Sequence, residues 1–249
     1  MSYYRSYFSK NNTIISDSLV NTAKNPTTEI FYGDGYSKFI FQIDLSSIRL
    51  KIDNGDLILN SDTKHYLRMT NTIFGSESFV GQEKGTGGHR ATSFDLTLIP
   101  LPETETDWDE GVGFDYEVTD DLSFNDNKTY DIRPSNWYNK TTLNEWTVPG
   151  IYETITGDSI TIHFDNGNEN INQDISEIVN HILTGTTGNG VDFVLAFDPS
   201  YFTNDDGKQS ISFFTKYTQT FYEPFVETIF NDVIIDNPAP FIPIPSHLS

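Results

Sequence analysis

The chain is 249 residues long and has no cysteine, which excludes a disulfide framework and a thiolate site. Its 36 acidic residues against 15 basic ones give a formal net charge of −21, a field that repels nucleic acid and keeps a protein soluble at high copy number. Aromatic residues make up 14 %, with 19 Phe and 13 Tyr, so large rings can fill the core of one all-β domain despite the modest aliphatic content.

The opening residues, Met1-Ser2-Tyr3-Tyr4-Arg5, lack the apolar segment of a signal peptide. No run approaches the ~20 apolar residues of a membrane helix, so no membrane partner is expected. Residues 1–10, polar and aromatic, read as an N-terminal arm or entry strand. Thr13-Ile14-Ile15 is a short β run, and Glu29 to Tyr32 is a strand stopped by Gly33-Asp34-Gly35. Lys38 to Leu45 alternates, with Phe39, Phe41, Ile43 and Leu45 on one side, which predicts a half-buried strand. Leu57-Ile58-Leu59 reads as a further short strand. His65 to Thr70 follows, with His65, Leu67 and Met69 on one face. The glycine-rich residues 75–90 predict a mobile loop, and Thr92 to Ile99 a strand with Phe94, Leu96 and Leu98 inward.

Residues 122–150 hold Trp137, Tyr138 and Trp146 among polar residues and read as an irregular excursion pinned by aromatics. Ser159 to Phe164 alternates again. One helix is predicted over about 171–184, since Ile171, Ile175, Ile178, Val179, Ile182 and Leu183 form a stripe of helical period. Asn172 is its expected N-cap and Gly185 its stop. Val191 to Phe197 is the next strand. Ile211 to Thr218 and Phe225 to Phe230 read as a closing hairpin. Both faces of the latter carry apolar residues, which predicts cover on both sides. Pro238, Pro240, Pro243 and Pro245 make residues 233–249 an extended arm. This gives an arm over 1–10, a β-sandwich domain over 11–232 and a proline-rich arm over 233–249. Runs of strands with one covering helix point to a two-sheet, jelly-roll-like β-sandwich.

Several blocks recur in a family-like order: Asn12-Thr13-Ile14-Ile15, the Asn-rich loop Asn21 to Pro26, Lys38 to Ser46, and Trp108-Asp109-Glu110-Gly111. The helix stripe, Val191 to Phe197, Phe213 to Thr218 and Phe221-Tyr222-Glu223-Pro224 complete the series. Over residues ~11 to ~232 this order resembles the DNRLRN-type β-sandwich, related to carbohydrate-binding modules, and the version found in virion proteins of large tailed, crAss-like bacteriophages. Phe225 stands where that pattern has Leu. The resemblance implies a non-enzymatic virion protein, a ring component of the neck or tail, with a homo-oligomeric ring and neighbouring tail or neck proteins as partners. Its carbohydrate-binding side implies the alternative, a glycan-recognising module or adhesin.

Three sets of residues are candidates for chemistry or contact. Asp107, Asp109, Glu110 and Asp115 could converge on a calcium ion, since hard cations take several oxygens; the other reading is a solvated loop anchored by Trp108. Trp137, Tyr138 and Trp146 could stack on sugar rings or could pin their loop to the core. Val233, Ile234, Ile235, Phe241, Ile242 and Ile244 lie beyond the last strand and are apolar, which predicts subunit contact. Gly85 to Arg90 lacks the Gly-Lys-Ser/Thr ending of a phosphate loop, and the five histidines show no metal spacing. No catalytic residue and no required cofactor are predicted.

Overall fold

The seam of the fold is a 14-residue strand, β1 (Ser2–Ile15). In the computed structural model, which describes residues 2–33, 35–72, 93–114, 135–151, 159–185, 188–198 and 209–231, its two halves serve different neighbours. Residues 2–7 pair with β10 (Phe225–Phe230), and residues 8–15 pair with β3 (Gly35–Asp44). The register shifts between Phe8 and Lys10. An extra residue there bends the strand and increases its twist. Residues 2–10, expected as an arm or entry strand, are therefore a strand built into the sheet.

The other strands are β2 (Thr27–Gly33), β4 (Lys64–Met69), β5 (Phe94–Pro100), β6 (Ile160–Phe164), β7 (Ile171–Asp174), β8 (Gly190–Phe197) and β9 (Gln209–Phe214). All pairings are antiparallel, in the order β6-β5-β8-β3-β1-β10-β4-β7, with β2 joining β3 to β9. The fold is all-β. Two expectations about the strands fail. β9 pairs with β2 and β10 with β1 and β4, so the expected closing hairpin does not form. Leu57 to Leu59 is not a strand, although Leu57 is buried in the core.

The helix begins later than its stripe suggests. Residues 171–174 form β7 on the edge of β4, and α2 spans Ser176–Thr184. Ile171 keeps its place in the core as a strand residue, because its alternation fits both periods and the free edge of β4 decides between them. The N-cap is Ile175, not Asn172, and Asp174 just before it accepts the Ser176 N–H on its Oδ1 at 2.9 Å. A second helix, α1 (Ser46–Asp53), escaped the sequence reading, yet it starts the same way. Asp44 Oδ1 accepts the Ser46 N–H at 2.9 Å, and Asp44-Leu45-Ser46 matches Asp174-Ile175-Ser176 in kind. Arg49 on α1 then donates to the carbonyls of Ile182 (3.0 Å), Gly185 (2.9 Å) and Gly188 (2.9 Å), satisfying the end of α2.

Two apolar clusters fill the interior. The larger draws on Phe39, Phe41, Phe193, Leu67, Val226, Ile211 and Val179. The smaller joins Ile14, Ile40, Val194 and Ala196 to Leu101, Trp108, Trp137, Trp146 and Ile151. β3 and β8 are thus covered on both faces, which corrects the half-buried reading of Lys38 to Leu45. Lys38 itself is buried and donates to the Gly150 carbonyl at 2.6 Å.

Candidate functional site

The acidic loop folds into a knot of charges and amides. Trp108 is fully buried, and its Nε1 donates to Asp192 Oδ1 at 2.7 Å. Lys10 donates to the Trp108 carbonyl at 2.8 Å. Glu110 lies beside Lys24 Nζ at 2.9 Å and Lys216 Nζ at 3.3 Å, and accepts from the Tyr217 hydroxyl at 2.6 Å and the Asn11 N–H at 2.9 Å. Burial opposes its charge, but Tyr217, Lys24, the Asn11 amide and Lys216 outweigh that and hold the carboxyl below its usual range. Asp107 pairs with Lys140 Nζ at 2.6 Å.

The Asn-rich loop ties in from the other side. Asn21 Oδ1 accepts the Gly113 N–H at 2.9 Å, while its Nδ2 donates to the carbonyls of Glu110 (2.9 Å) and Ser135 (3.1 Å). Asn12 Nδ2 reaches the Ser135 carbonyl at 2.5 Å. Gly111 has a positive φ of 87°, and a Cβ there would sit 2.4 Å from Asn21, so the approach needs glycine. Asp107 and Glu110 are thus taken by different lysines, and among the described residues no three His, Asp or Glu side chains gather as metal ligands do. The convergence expected of Asp107, Asp109 and Glu110 does not occur; Asp115 lies outside the described residues, as do the glycine-rich residues 75–90.

The tryptophans are inside. Trp137 and Trp146 are 5 % and 4 % exposed. Trp146 Nε1 donates to the Asn136 carbonyl at 2.8 Å. Trp137 meets Tyr36 edge-on at 5.1 Å, lies under Lys38 Nζ at 5.3 Å, and touches Gly150, where a Cβ would come within 2.3 Å of the ring. Their faces are occupied by packing, so the stacking platform is corrected to a pin. Tyr138, 36 % exposed, stands apart and bonds Asp17.

A surface the sequence reading missed lies on the other half of the sheet. The register of β1, β10, β4 and β7 puts side chains of one face in three rows. Tyr3, Ile229 and Lys64 form the first; Arg5, Glu227, Tyr66 and Asp174 the second; Tyr7, Phe225, Arg68 and Asn172 the third. Tyr3 is 70 % exposed and Tyr7 45 %. Arg5 lies over the Phe225 ring at 4.4 Å, Arg68 over Tyr66 at 5.4 Å, and Arg68 pairs with Glu227 at 2.6 Å. The opposite face of the same strands carries Thr228, Val226, Phe230, His65 and Leu67 into the core. The expectation that Phe225 to Phe230 is covered on both sides therefore fails: Val226, Thr228 and Phe230 are buried, while Phe225, Glu227 and Ile229 are only half-buried, beside the exposed Tyr3 and Tyr7. The signal was present in Tyr3, Arg5 and Tyr7, which alternate with Tyr4, Ser6 and Phe8, but the reading of residues 1–10 as an arm or entry strand assigned them no face.

β10 ends at Phe230, opposite Ser2, at the rim of this face. The apolar residues Val233, Ile234, Ile235, Phe241, Ile242 and Ile244 follow and lie outside the described residues. Among the described residues no helix is long and apolar enough to cross a membrane. No family model matches the chain, and no curated protein matches it either.

Proposed function

We propose that this chain is a structural subunit of a tailed-phage particle, a ring-forming component of the neck or tail with no catalytic role. Its body is read as a two-sheet, jelly-roll-like sandwich in which the β6-β5-β8-β3 side and the β10-β4-β7 side are layers hinged on β1. Participation of both sides in the larger apolar cluster supports that reading. The phage assignment rests on the order of sequence blocks, a resemblance at the level of fold. The observation that carries an assembly role is the open face: Tyr3 and Tyr7 are exposed with Phe225 and Ile229 half-buried beside them, whereas β3 and β8 are covered on both faces. Exposed apolar surface of this kind marks contact sites. Copies would meet head to tail through unlike patches and close into a ring.

Size-exclusion chromatography with light scattering, followed by negative-stain imaging, tests this. Closed rings, or co-assembly with tail or neck proteins, are expected. A chain that stays monomeric at all concentrations and binds no particle protein would overturn it. The alternative, a glycan-binding module, draws on the exposed rings of Tyr3 and Tyr7 in place of the buried tryptophans. Binding on a glycan array that Tyr3→Ala and Tyr7→Ala abolish, without assembly, favours it.

A further inference from the structure

We infer that the open face of β1, β10, β4 and β7 is the seat for residues 233–244 of a second copy of this chain. The inference rests on the assembly reading and names the two patches that meet. A heterologous contact needs two unlike, complementary surfaces on one chain. Here they are the aromatic and cationic face and the apolar, proline-rich segment that starts at its rim.

Their chemistry matches. The face offers Tyr3, Tyr7, Tyr66 and Phe225, with Arg5 and Arg68 laid over two of those rings. Proline-rich segments dock on aromatic-lined surfaces, because a chain with fixed φ loses little freedom on binding. Residues 238–245, Pro-Ala-Pro-Phe-Ile-Pro-Ile-Pro, are such a segment. Charge points the same way. In a chain of net charge −21, Arg5, Lys64 and Arg68 outnumber Glu227 and Asp174 on this face. Residues 232–249 hold Asp232 and Asp236 and no lysine or arginine.

Reach is sufficient. In a polyproline conformation residues 233–244 span on the order of 35 Å, whereas six-residue strands are about 20 Å long. β10 runs toward the Ser2 end, so its last residues lie at that rim. Return onto the chain's own face requires an immediate reversal, whereas continuing outward brings the segment to a neighbour.

The test uses the full chain. A 15N-labelled copy carrying benzoylphenylalanine in place of Phe241 is mixed with excess unlabelled chain, irradiated, digested and mapped by mass spectrometry. Adducts joining labelled residue 241 to unlabelled peptides containing Tyr3 to Tyr7, Lys64 to Arg68 or Phe225 to Ile229 are expected. Arg5→Glu or Tyr7→Ala in the unlabelled partner should cut their yield about fivefold or more, as loss of an interface anchor does. Both variants are exposed positions, and an unchanged melting temperature verifies their folding. Adducts confined to the labelled copy's own face overturn the second-copy assignment. Adducts elsewhere, in a chain that still oligomerises, overturn the docking face and leave the assembly reading standing. A monomer without adducts between copies overturns both.

Discussion

β3 and β10 look alike in sequence and end up in opposite settings. Lys38 to Leu45 carries a lysine and a glutamine between its apolar residues, yet it is buried on both faces, with Ile40 in the smaller cluster and Lys38 bonded to Gly150. Phe225 to Phe230 carries apolar residues on both faces, yet one of those faces is only half-buried. The difference lies in what crosses over each strand. Residues 101–113 and 135–151 fold across β3 and β8 and bring three tryptophans with them. Among the described residues no comparable segment covers β10. A strand's own pattern reports how many of its faces could be buried. The remainder of the chain, or another chain, decides how many are.

The sealed side is where removal of one residue should cost most. Trp108→Ala deletes a fully buried ring and leaves Asp192, a buried carboxyl whose proton affinity burial already raises, without its indole donor. Large-to-small core changes at such rings cost about 3–5 kcal/mol, with the orphaned acceptor adding to that. Denaturant melts should show a loss of that size; a loss below about 1 kcal/mol, the ordinary effect of a point substitution, would mean that the loop cover is dispensable.

Next in size is a pH effect beneath the open face. His65 is fully buried between Thr228 (Nδ1, 2.8 Å) and Asn180 (Nε2, 3.1 Å). Burial pushes its pKa from 6.5 to about 4. Between those values the unfolded chain takes up a proton that the folded chain refuses, so stability falls as the pH drops from 6.5 toward 4 and the loss levels off below. The loss is on the order of 3 kcal/mol. His65→Gln should lower stability at neutral pH and flatten this part of the profile. A wild-type profile already flat from pH 6.5 to 4 would contradict a buried, neutral His65.

These residues also show what a sequence can disclose. The alternation of β4 placed His65, Leu67 and Met69 inward, because one strand's period is a local property. Trp137 and Trp146 were open to two readings, since an aromatic in a loop looks the same whether its ring faces sugar or Lys38 and Tyr36. The start of α2 was misread because Ile171 satisfies both a strand and a helix, and the deciding partner, β4, is about a hundred residues distant in sequence. The lysines that take up Glu110 come from positions 24 and 216, and nothing in the 107–115 stretch announces them.

That last arrangement makes a smaller prediction. Glu110→Ala strips Lys24, Lys216 and Tyr217 of a shared acceptor, and loss of a partly buried charged partner costs about 1–3 kcal/mol. Its carboxyl is held below the usual range, so its contribution is present above pH 4.5 and fades as the pH falls through the folded value. If the loop bound calcium, a chelator would lower the melting temperature by the ligand's linkage term. With Asp107 and Glu110 paired to lysines, no chelator shift is expected, and a shift of several degrees would restore the calcium reading.

The smallest effect on folding is the most informative about the open side. Tyr7→Ala removes a ring that is 45 % exposed and meets Phe225 at 5.9 Å. Surface changes of this sort usually stay within about 0.5 kcal/mol, so the melting curve of the dilute chain should barely move. The same substitution should weaken self-association, because a ring that contributes little to its own fold is free to contribute to a contact. If Tyr7→Ala instead destabilised the dilute monomer by several kcal/mol while leaving association unchanged, the face would be ordinary structural surface, and the contrast between β3 and β10 would lose its functional meaning. Ionic strength sharpens the comparison. Association that depends on Arg5, Lys64 and Arg68 should weaken from low to moderate salt, as exposed charges are screened over about 10 Å at 0.1 M, whereas the sealed side, held by buried rings, should not respond.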